Sequence, residues 1–162
     1  MMRVYLSGRV EGLADRGQGW MNRYSMILKQ GSEDLVPVNP TLGVSDGADP
    51  GMIVRHCMGL IGGSDALLVN ADIPFAMGCP MEIAVAKYYG KLVVAVVGEA
   101  SPYHKKHHLP SLKGRLARDW IHPFLIAFSD HIVGSPEEAV EVLKEYLQDP
   151  RKMAPKTLEM IL

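Results

Sequence analysis

The sequence predicts a doubly wound α/β domain of the flavodoxin or Rossmann type, with a mostly parallel five-stranded sheet and helices on both faces. Short apolar runs alternate with helical patterns through most of the 162 residues, and parallel strands need such crossover helices. Two runs, Ala66–Val69 and Leu92–Val97, are apolar without interruption, as expected of central strands covered on both faces. The length predicts one domain spanning residues 1–162.

Three shorter runs predict the remaining strands, at Arg3–Gly8, Asp34–Val38 and His131–Val133. Pro37 lies inside the second run. Because proline cannot donate a hydrogen bond to a neighbouring strand, we expect this strand to lie near an edge of the sheet or to end early.

Four helices are predicted between the strands from apolar residues at helical spacing. They span Gly19–Gln30, Gly51–Ile61, Pro80–Tyr89 and a last segment that starts after Ser135 and ends near Gln148. Pro80 suits the first position of the third helix, whose Met81, Ala84, Val85 and Tyr88 are expected to face the core. Ser135 precedes a proline and two glutamates, which is typical of a capped helix start.

Two segments are less regular. Residues 98–123 form a long loop with a basic cluster at His104–His108, which is either a solvated surface or a lid over an anionic substrate. Within this loop, Leu112–Ile121 is a candidate helix. Residues 149–162 form a C-terminal tail.

Composition narrows the class of protein. Hydrophobic residues make up 48% of the chain, charged residues 22%, and the formal net charge is −1. These values are ordinary for a soluble globular protein, and they favour neither a nucleic-acid polymer nor a membrane surface as a partner. The two cysteines, Cys57 and Cys79, are too few for a disulfide framework, so we expect a cytoplasmic protein. No metal or organic cofactor is implied.

Glu82 is the main candidate for chemistry, because it is predicted in the first turn of the helix that follows the third strand. Reactive groups in open parallel sheets lie at the carboxyl ends of strands. The small and apolar residues before it, including Gly78, could line a pocket for a ring. A plain helix-capping acid is the structural alternative. Tyr5, near the end of the first strand, could hydrogen-bond this carboxylate or be a half-buried strand residue.

Other polar groups at strand ends are candidates for substrate binding. The loop after the first strand holds glycines and arginines that could receive an anionic group, although it matches neither a dinucleotide fingerprint nor a P-loop. Asp72 follows the third strand and Asn39 the second, where either could bind a sugar hydroxyl. The substrate-binding candidates are Ser7, Gly8, Arg9, Arg16, Asn39, Asp72 and Gly78.

Three segments of the chain, VYLSG, SDALLV and GCPMEIAVAKYYGKLVVAVV, resemble the nucleoside 2-deoxyribosyltransferase superfamily, which includes deoxynucleoside 5′-monophosphate N-glycosidases. The similarity covers roughly residues 3–97. It implies that Glu82 attacks C1′ of the sugar, expels the base and forms a glycosyl-enzyme that passes to another base or to water. It also implies that Tyr5 orients Glu82, that Arg16 corresponds to the first-loop arginine of the monophosphate-cleaving branch, and that the chain forms a homo-oligomer, a dimer or larger.

Two positions depart from that family's pattern. Cys57 stands where the family often has an aspartate on the second helix, and Ala76 stands six residues before the glutamate, where a hydroxyl or phosphate contact is usual. Two alternatives therefore stay open. One is a non-catalytic module that binds a nucleotide or nucleotide-sugar, and the other is a phosphoribohydrolase-like enzyme, whose PGGxGTxxE-type loop survives only as a fragment in GCPME.

Overall fold

The computed structural model describes residues 1–45, 47–105, 109–110, 116–117 and 120–162. Within these ranges the strands are β1 (Met2–Ser7), β2 (Leu35–Val38), β3 (Ala66–Asn70), β4 (Leu92–Val96), β5 (His104–Lys105), β6 (Leu109–Pro110), β7 (Leu116–Ala117), β8 (Trp120–Ile121) and β9 (His131–Val133). The helices are α1 (Gln18–Gly31), α2 (Pro50–Gly62), α3 (Gly78–Tyr88), α4 (Pro123–Phe128), α5 (Pro136–Gln148) and α6 (Leu158–Ile161). No helix in the described ranges is both long and apolar enough to cross a lipid bilayer.

The main sheet confirms the predicted fold class. Five strands pair in the order β2-β1-β3-β4-β9, and every pair is parallel. The chain leaves β1 towards β2 on one side and later returns to β3 on the other side. This reversal opens a crevice at the carboxyl ends of β1 and β3, which is where open α/β sheets bind ligands.

Each face of the sheet is covered by its own hydrophobic core. One core contains Val4 and Leu6 of β1 with residues of α1 and α5, whereas the other contains Tyr5 with residues of α2 and α3. Successive strand residues point to opposite faces, so β1 divides its side chains between the two cores. Every residue of β3 and β4 is buried, as the uninterrupted apolar runs predict.

Local signals in the sequence are confirmed at two places. Pro37 lies in β2, which is an edge strand of the sheet. Ser135 caps α5, because its side chain accepts a hydrogen bond of 3.2 Å from the backbone N–H of Glu138. The cap and the edge position follow from backbone chemistry that acts over a few residues, and this explains why the sequence alone indicates them.

The start and the rotation of α3 differ from the prediction. The helix begins at Gly78 rather than Pro80, so Glu82 is its fifth residue and lies beyond the first turn. Met81 and Tyr88, expected in the core, are 61% and 72% exposed. The buried residues of α3 are Cys79, Ile83, Ala86 and Lys87. The predicted rotation was wrong because it followed apolar spacing alone, which gives no signal that the charged Lys87 lies on the inner face of α3.

The segment 98–123 contains short strand pairs. β5 pairs with β8 and β6 pairs with β7, both antiparallel. The candidate helix at Leu112–Ile121 is therefore wrong at residues 116–117 and 120–121, which are extended. Of the basic cluster, Lys106, His107 and His108 lie outside the described residues, so the lid stays a prediction.

A buried ion pair joins α3 to the C-terminal tail. The Lys87 ammonium donates to the Asp130 carboxylate, to the Lys91 carbonyl at 3.0 Å and to the Lys156 carbonyl at 3.1 Å. Asp130 also accepts from the backbone N–H of Val93 at 2.8 Å and of Lys156 at 2.7 Å. The Lys87 and Asp130 side chains are 0% and 6% exposed. Burial lowers the pKa of Lys87, and the neighbouring Asp130 carboxylate opposes that shift.

This geometry predicts that Asp130→Ala destabilises the fold by about 3–5 kcal/mol, because it leaves the buried Lys87 charge without an opposite charge. Urea unfolding measures the loss. The matched control is Glu141→Ala, which removes the partner of Lys144 in an exposed pair at 3.1 Å and is expected to cost less than about 1 kcal/mol. Equal losses in the two variants would contradict a special role for the buried pair.

Candidate active site

The Glu82 carboxylate is held by two hydroxyl groups of β1. The Tyr5 phenol donates to Oε1 at 2.6 Å and the Ser7 hydroxyl donates to Oε2 at 2.6 Å. Tyr5 and Ser7 are two residues apart, so both point to the α3 side of the sheet, and both are fully buried. Glu82 itself is half-buried. Each carboxylate oxygen keeps a further lone pair. The two hydroxyls therefore orient the carboxylate without using all its capacity to accept hydrogen bonds.

Burial sets the electrostatics of this group. Removal from water raises the pKa of Glu82, and the hydrogen bonds from Ser7 and Tyr5 oppose the rise. Burial and the nearby Glu82 charge raise the pKa of Tyr5 far above its usual range. Tyr5 therefore remains a protonated donor at neutral pH, and Glu82 is the group whose charge state changes most readily.

Two thiols lie close to Glu82, Cys57 on α2 and Cys79 on α3. Burial raises the pKa of both thiols, that of Cys79 to about 11, and the Glu82 charge adds to each shift. Both cysteines are free, so near neutral pH they act as neutral side chains.

The loop between β1 and α1 packs closely against the end of β1. A Cβ atom at Gly8 would lie 2.6 Å from Cζ2 of Trp20, so only glycine fits there. The Trp20 indole N–H donates to the Arg9 carbonyl at 2.9 Å, and the Arg9 side chain donates to the Glu11 carbonyl at 2.9 Å. Arg16 is exposed and has a left-handed backbone with φ of 53°. The loop is therefore anchored at the carboxyl end of β1.

Three other predicted binding residues also lie at the carboxyl edge of the sheet. Asn39 accepts from the Thr41 backbone N–H at 2.9 Å and so shapes the loop after β2. Asp72 accepts from the Gly98 N–H at 2.7 Å and joins the loops after β3 and β4. Gly78 is the exposed first residue of α3. Asn39 and Asp72 thus have structural partners, and their contact with a substrate stays a prediction.

An aromatic pair borders the approach to α3. The rings of Phe75 and Tyr103 stack with centroids 4.6 Å apart, and the Tyr103 hydroxyl accepts from the Phe75 N–H at 2.6 Å. Ser101 strengthens the same junction by donating to the Ala71 carbonyl at 2.6 Å. The loop that leads from β3 to α3 is therefore fixed against the segment that follows β4.

Two surface cavities lie away from this carboxylate. One, of about 340 Å³, is lined by residues that include Asp65, Tyr89, Lys91 and Tyr146. The other, of about 400 Å³, is a shallow depression on α1. Neither is lined by Glu82 or its hydroxyl partners. Within the described residues, no three His, Cys, Asp or Glu side chains are grouped to hold a metal ion.

The neighbours of Glu82 were harder to predict from the sequence than Glu82 itself. Ser7 is predicted to contact substrate, whereas the structure shows it bonded to the carboxylate. Cys79 has no predicted role at the site, although a spacing of three residues places it beside Glu82 on a helix. Cys57 of α2 lies close to Glu82 of α3, and no local signal in the sequence indicates that the two elements bring them together.

Comparisons with solved structures identify proteins of the same fold. A conserved protein from Enterococcus faecalis matches with a TM-score of 0.68 at 19% identity, covering 90% of this chain and 98% of that one. A 2-deoxyribosyltransferase from Leishmania mexicana matches with a TM-score of 0.66 at 19% identity, covering 92% and 99%. A CMP N-glycosidase from Clostridium botulinum matches with a TM-score of 0.51 at 16% identity, covering 89% and 98%.

By sequence, no protein-family model and no curated protein matches the chain. At such low identity the structural likeness establishes the fold, and it agrees with the α/β architecture that the resemblance in the sequence implies.

The raised pKa of Glu82 has a consequence for stability. A carboxyl group that holds its proton more tightly in the folded than in the unfolded state stabilises the fold at low pH. That contribution is lost as the pH rises from the ordinary pKa of 4.5 through the folded pKa. We therefore predict that Glu82→Gln, which keeps the shape and both partners with one hydroxyl now accepting from the amide NH2, melts at a higher temperature than wild type at pH 7. Thermal unfolding followed by circular dichroism measures the difference.

The control for that measurement is Glu33→Gln, at an exposed glutamate. It is expected to leave the melting temperature unchanged within about 1–2 °C, as for most surface substitutions. The difference between wild type and Glu82→Gln should also shrink when the pH is lowered towards 4.5. A lower melting temperature for Glu82→Gln at pH 7 would contradict the raised pKa.

Proposed function

We propose that the protein cleaves or transfers the N-glycosidic bond of a nucleoside or nucleoside 5′-monophosphate, with Glu82 as the nucleophile. The observation that carries this proposal is the pair of hydrogen bonds that Tyr5 and Ser7 donate to the two oxygens of Glu82. A half-buried carboxylate, oriented in this way next to a strand end, has the position and charge needed to attack a sugar carbon.

The proposed reaction proceeds in two displacements. An oxygen of Glu82 forms a bond to C1′ while the bond from C1′ to the base breaks, and the electron pair leaves with the base, which takes up a proton. The sugar is then an ester of Glu82. Water, which loses a proton, or a second base attacks C1′ and returns the electron pair to the carboxylate. Two displacements of this kind retain the configuration at C1′.

The roles of the other groups follow from their positions. Tyr5 and Ser7 fix the carboxylate before and between the displacements, so little reorganisation is needed during the reaction. We propose that Arg9 and Arg16, in the loop after β1, receive a 5′-phosphate, and that Asp72 binds a sugar hydroxyl. Ser7, Gly8, Asn39 and Gly78 border the same edge and complete the proposed binding site.

Two further observations support the proposal. The chain shares its fold with a protein named as a 2-deoxyribosyltransferase and with one named as a CMP N-glycosidase. Both cysteines are free thiols, which agrees with the reducing cytoplasm as the proposed compartment. The site geometry carries the argument for Glu82, because the fold alone hosts many functions.

We predict that the wild-type protein releases free base from at least one member of a panel of deoxynucleosides and their 5′-monophosphates. Glu82→Gln should lower kcat by at least about 10³-fold, since it removes the nucleophile. The acidic limb of the kcat/KM profile should lie above pH 4.5, because Glu82 must be ionised and its pKa is raised. Chromatography of the released base measures both quantities.

Glu33→Gln is the matched control and should retain wild-type rates. Intact-mass spectrometry of the wild-type protein mixed rapidly with substrate should show an added sugar that is missing in Glu82→Gln. The proposed function fails if no substrate of the panel releases base. Thermal stabilisation by a nucleotide without turnover would instead support the binding-module alternative.

We also propose that the protein is a homo-oligomer, with a second copy on the surface formed by α2, α3 and α4. These helices contact one another along one face of the sheet. They expose large apolar side chains, as a protein interface requires. The exposed residues are Met52, Ile53, Val54, Met81, Tyr88, Phe124 and Ile126, together with Met77 directly before α3.

The oligomer proposal predicts that Val54→Lys shifts the assembly towards monomer, because it introduces a charge at a residue that is 57% exposed on this surface. Sedimentation velocity at several concentrations measures the mass. Met26→Lys is the control, since Met26 of α1 is 54% exposed on the opposite face. A monomeric wild type, or loss of the oligomer in Met26→Lys alone, would contradict the proposal.

A further inference from the structure

We propose that Phe75, in the loop between β3 and α3, is the residue on which the base of the substrate stacks. This inference rests on the proposed function, and it names the part of the substrate that this loop recognises. It gives the protein a flat, apolar surface for the leaving group on the same side of the sheet as the attacking carboxylate.

Phe75 and Glu82 border the same hydrophobic core. The loop that carries Phe75 leaves the carboxyl end of β3 and leads into α3, so Phe75 precedes Glu82 by seven residues. Its side chain packs against the core that contains Tyr5 and Ile83. Tyr5 donates to Glu82, and Ile83 directly follows Glu82 in the sequence. The ring and the carboxylate therefore lie on one face of the sheet, at its carboxyl edge.

The ring of Phe75 is fixed before any ligand arrives. It stacks on Tyr103 with ring centroids 4.6 Å apart and an interplanar angle of 29°. The backbone N–H of Phe75 donates to the Tyr103 hydroxyl at 2.6 Å. The Tyr103 N–H donates to Ser101 Oγ at 3.1 Å, and that hydroxyl donates to the Ala71 carbonyl at 2.6 Å. A ligand that stacks on this ring therefore loses little affinity to ordering of the loop.

The ring also keeps accessible surface, and the space beside the start of α3 is open. Phe75 is only half-buried, although Tyr103 stacks on it. A Cβ atom added to Gly78 would meet no atom of the described residues within 4 Å. Residues 73–77 are all apolar, so their side chains offer neither charge nor hydrogen bonds to a ligand.

The base is the part of the proposed substrate that fits such a surface. Its ring is flat, and bases bind aromatic side chains by stacking. The sugar hydroxyls and the 5′-phosphate instead need hydrogen bonds or opposite charge, which the side chains of residues 73–77 lack. Because every base has an aromatic face, we expect both purine and pyrimidine nucleotides to use Phe75.

The test compares nucleotides with the sugar phosphate that they contain. Isothermal titration calorimetry on Glu82→Gln, which should not turn over substrate, measures the Kd of deoxyadenosine 5′-monophosphate, deoxycytidine 5′-monophosphate and 2-deoxyribose 5-phosphate. Adding Phe75→Leu should weaken both nucleotides by about 10-fold or more, because leucine packs in the core but cannot stack. Phe75→Tyr, which keeps the ring, should change their Kd by less than about 3-fold. The Kd of the sugar phosphate should be the same in both variants.

Tyr146→Leu is the matched control, because Tyr146 of α5 packs against the core on the other face of the sheet. It also replaces an aromatic ring by leucine, and it should leave all three Kd values unchanged. Equal weakening of the nucleotides and the sugar phosphate by Phe75→Leu would overturn the proposal, since it would indicate a general distortion of the site. Unchanged nucleotide affinity in Phe75→Leu, or nucleotides that bind no more tightly than the sugar phosphate, would overturn it as well.

The kinetic readout separates this inference from the proposed function. If Glu82 is the nucleophile, Phe75→Leu should raise KM by about 10-fold and change kcat by less than about 3-fold, because stacking stabilises bound substrate and transition state alike. If wild type releases no base while Phe75→Leu selectively weakens nucleotide binding, the proposed function fails and the stacking role stands. If wild type releases base while Phe75→Leu leaves KM and the nucleotide Kd unchanged, the stacking role fails and the proposed function stands.

Discussion

The hydrogen bonds from Tyr5 and Ser7 to Glu82 fix how the first strand and the third helix lie against each other. A strand presents every second side chain to one face, so these two hydroxyls can reach both oxygens of one carboxylate only in this register. A shift of β1 by one residue would direct Val4 and Leu6 to the carboxylate and bury it without donors. The polar contact and the two hydrophobic cores therefore specify the same alignment of the sheet.

The same helix is fixed a second time at Lys87. Glu82 and Lys87 are five residues apart, which separates them by about 7.5 Å along an α-helix and by roughly 140° around it. Glu82 turns towards β1, while Lys87 bonds Asp130 and the backbone of the C-terminal tail. Two polar anchors that point in different directions leave α3 little freedom to rotate or slide. The carboxylate is thus held by the whole helix as well as by its own hydrogen bonds.

The sequence predicts those features that depend on nearby residues or on an apolar run. The buried strands, the edge position of Pro37 and the cap at Ser135 belong to this group. The sequence also predicts Glu82 as the candidate residue, because it follows the end of a strand. The rotation of α3 could not be predicted, since it depends on Lys87 finding Asp130 43 residues away. The same holds for Cys57 and Glu82, which come close to each other only once two helices pack together.

The presence of an acid at position 82 is itself an argument for chemistry. If the side chain served only to join α3 to β1, glutamine would contact both hydroxyls, accepting from one and donating to the other, without a buried charge. Two hydroxyls moderate the cost of that charge. Within the described residues, no cation contributes to the pKa shift of Glu82. An uncompensated carboxylate is unfavourable for folding and favourable for attack on an electron-poor carbon, because it is neither neutralised nor strongly hydrated. Stability given up at a site of this kind is typical of functional residues.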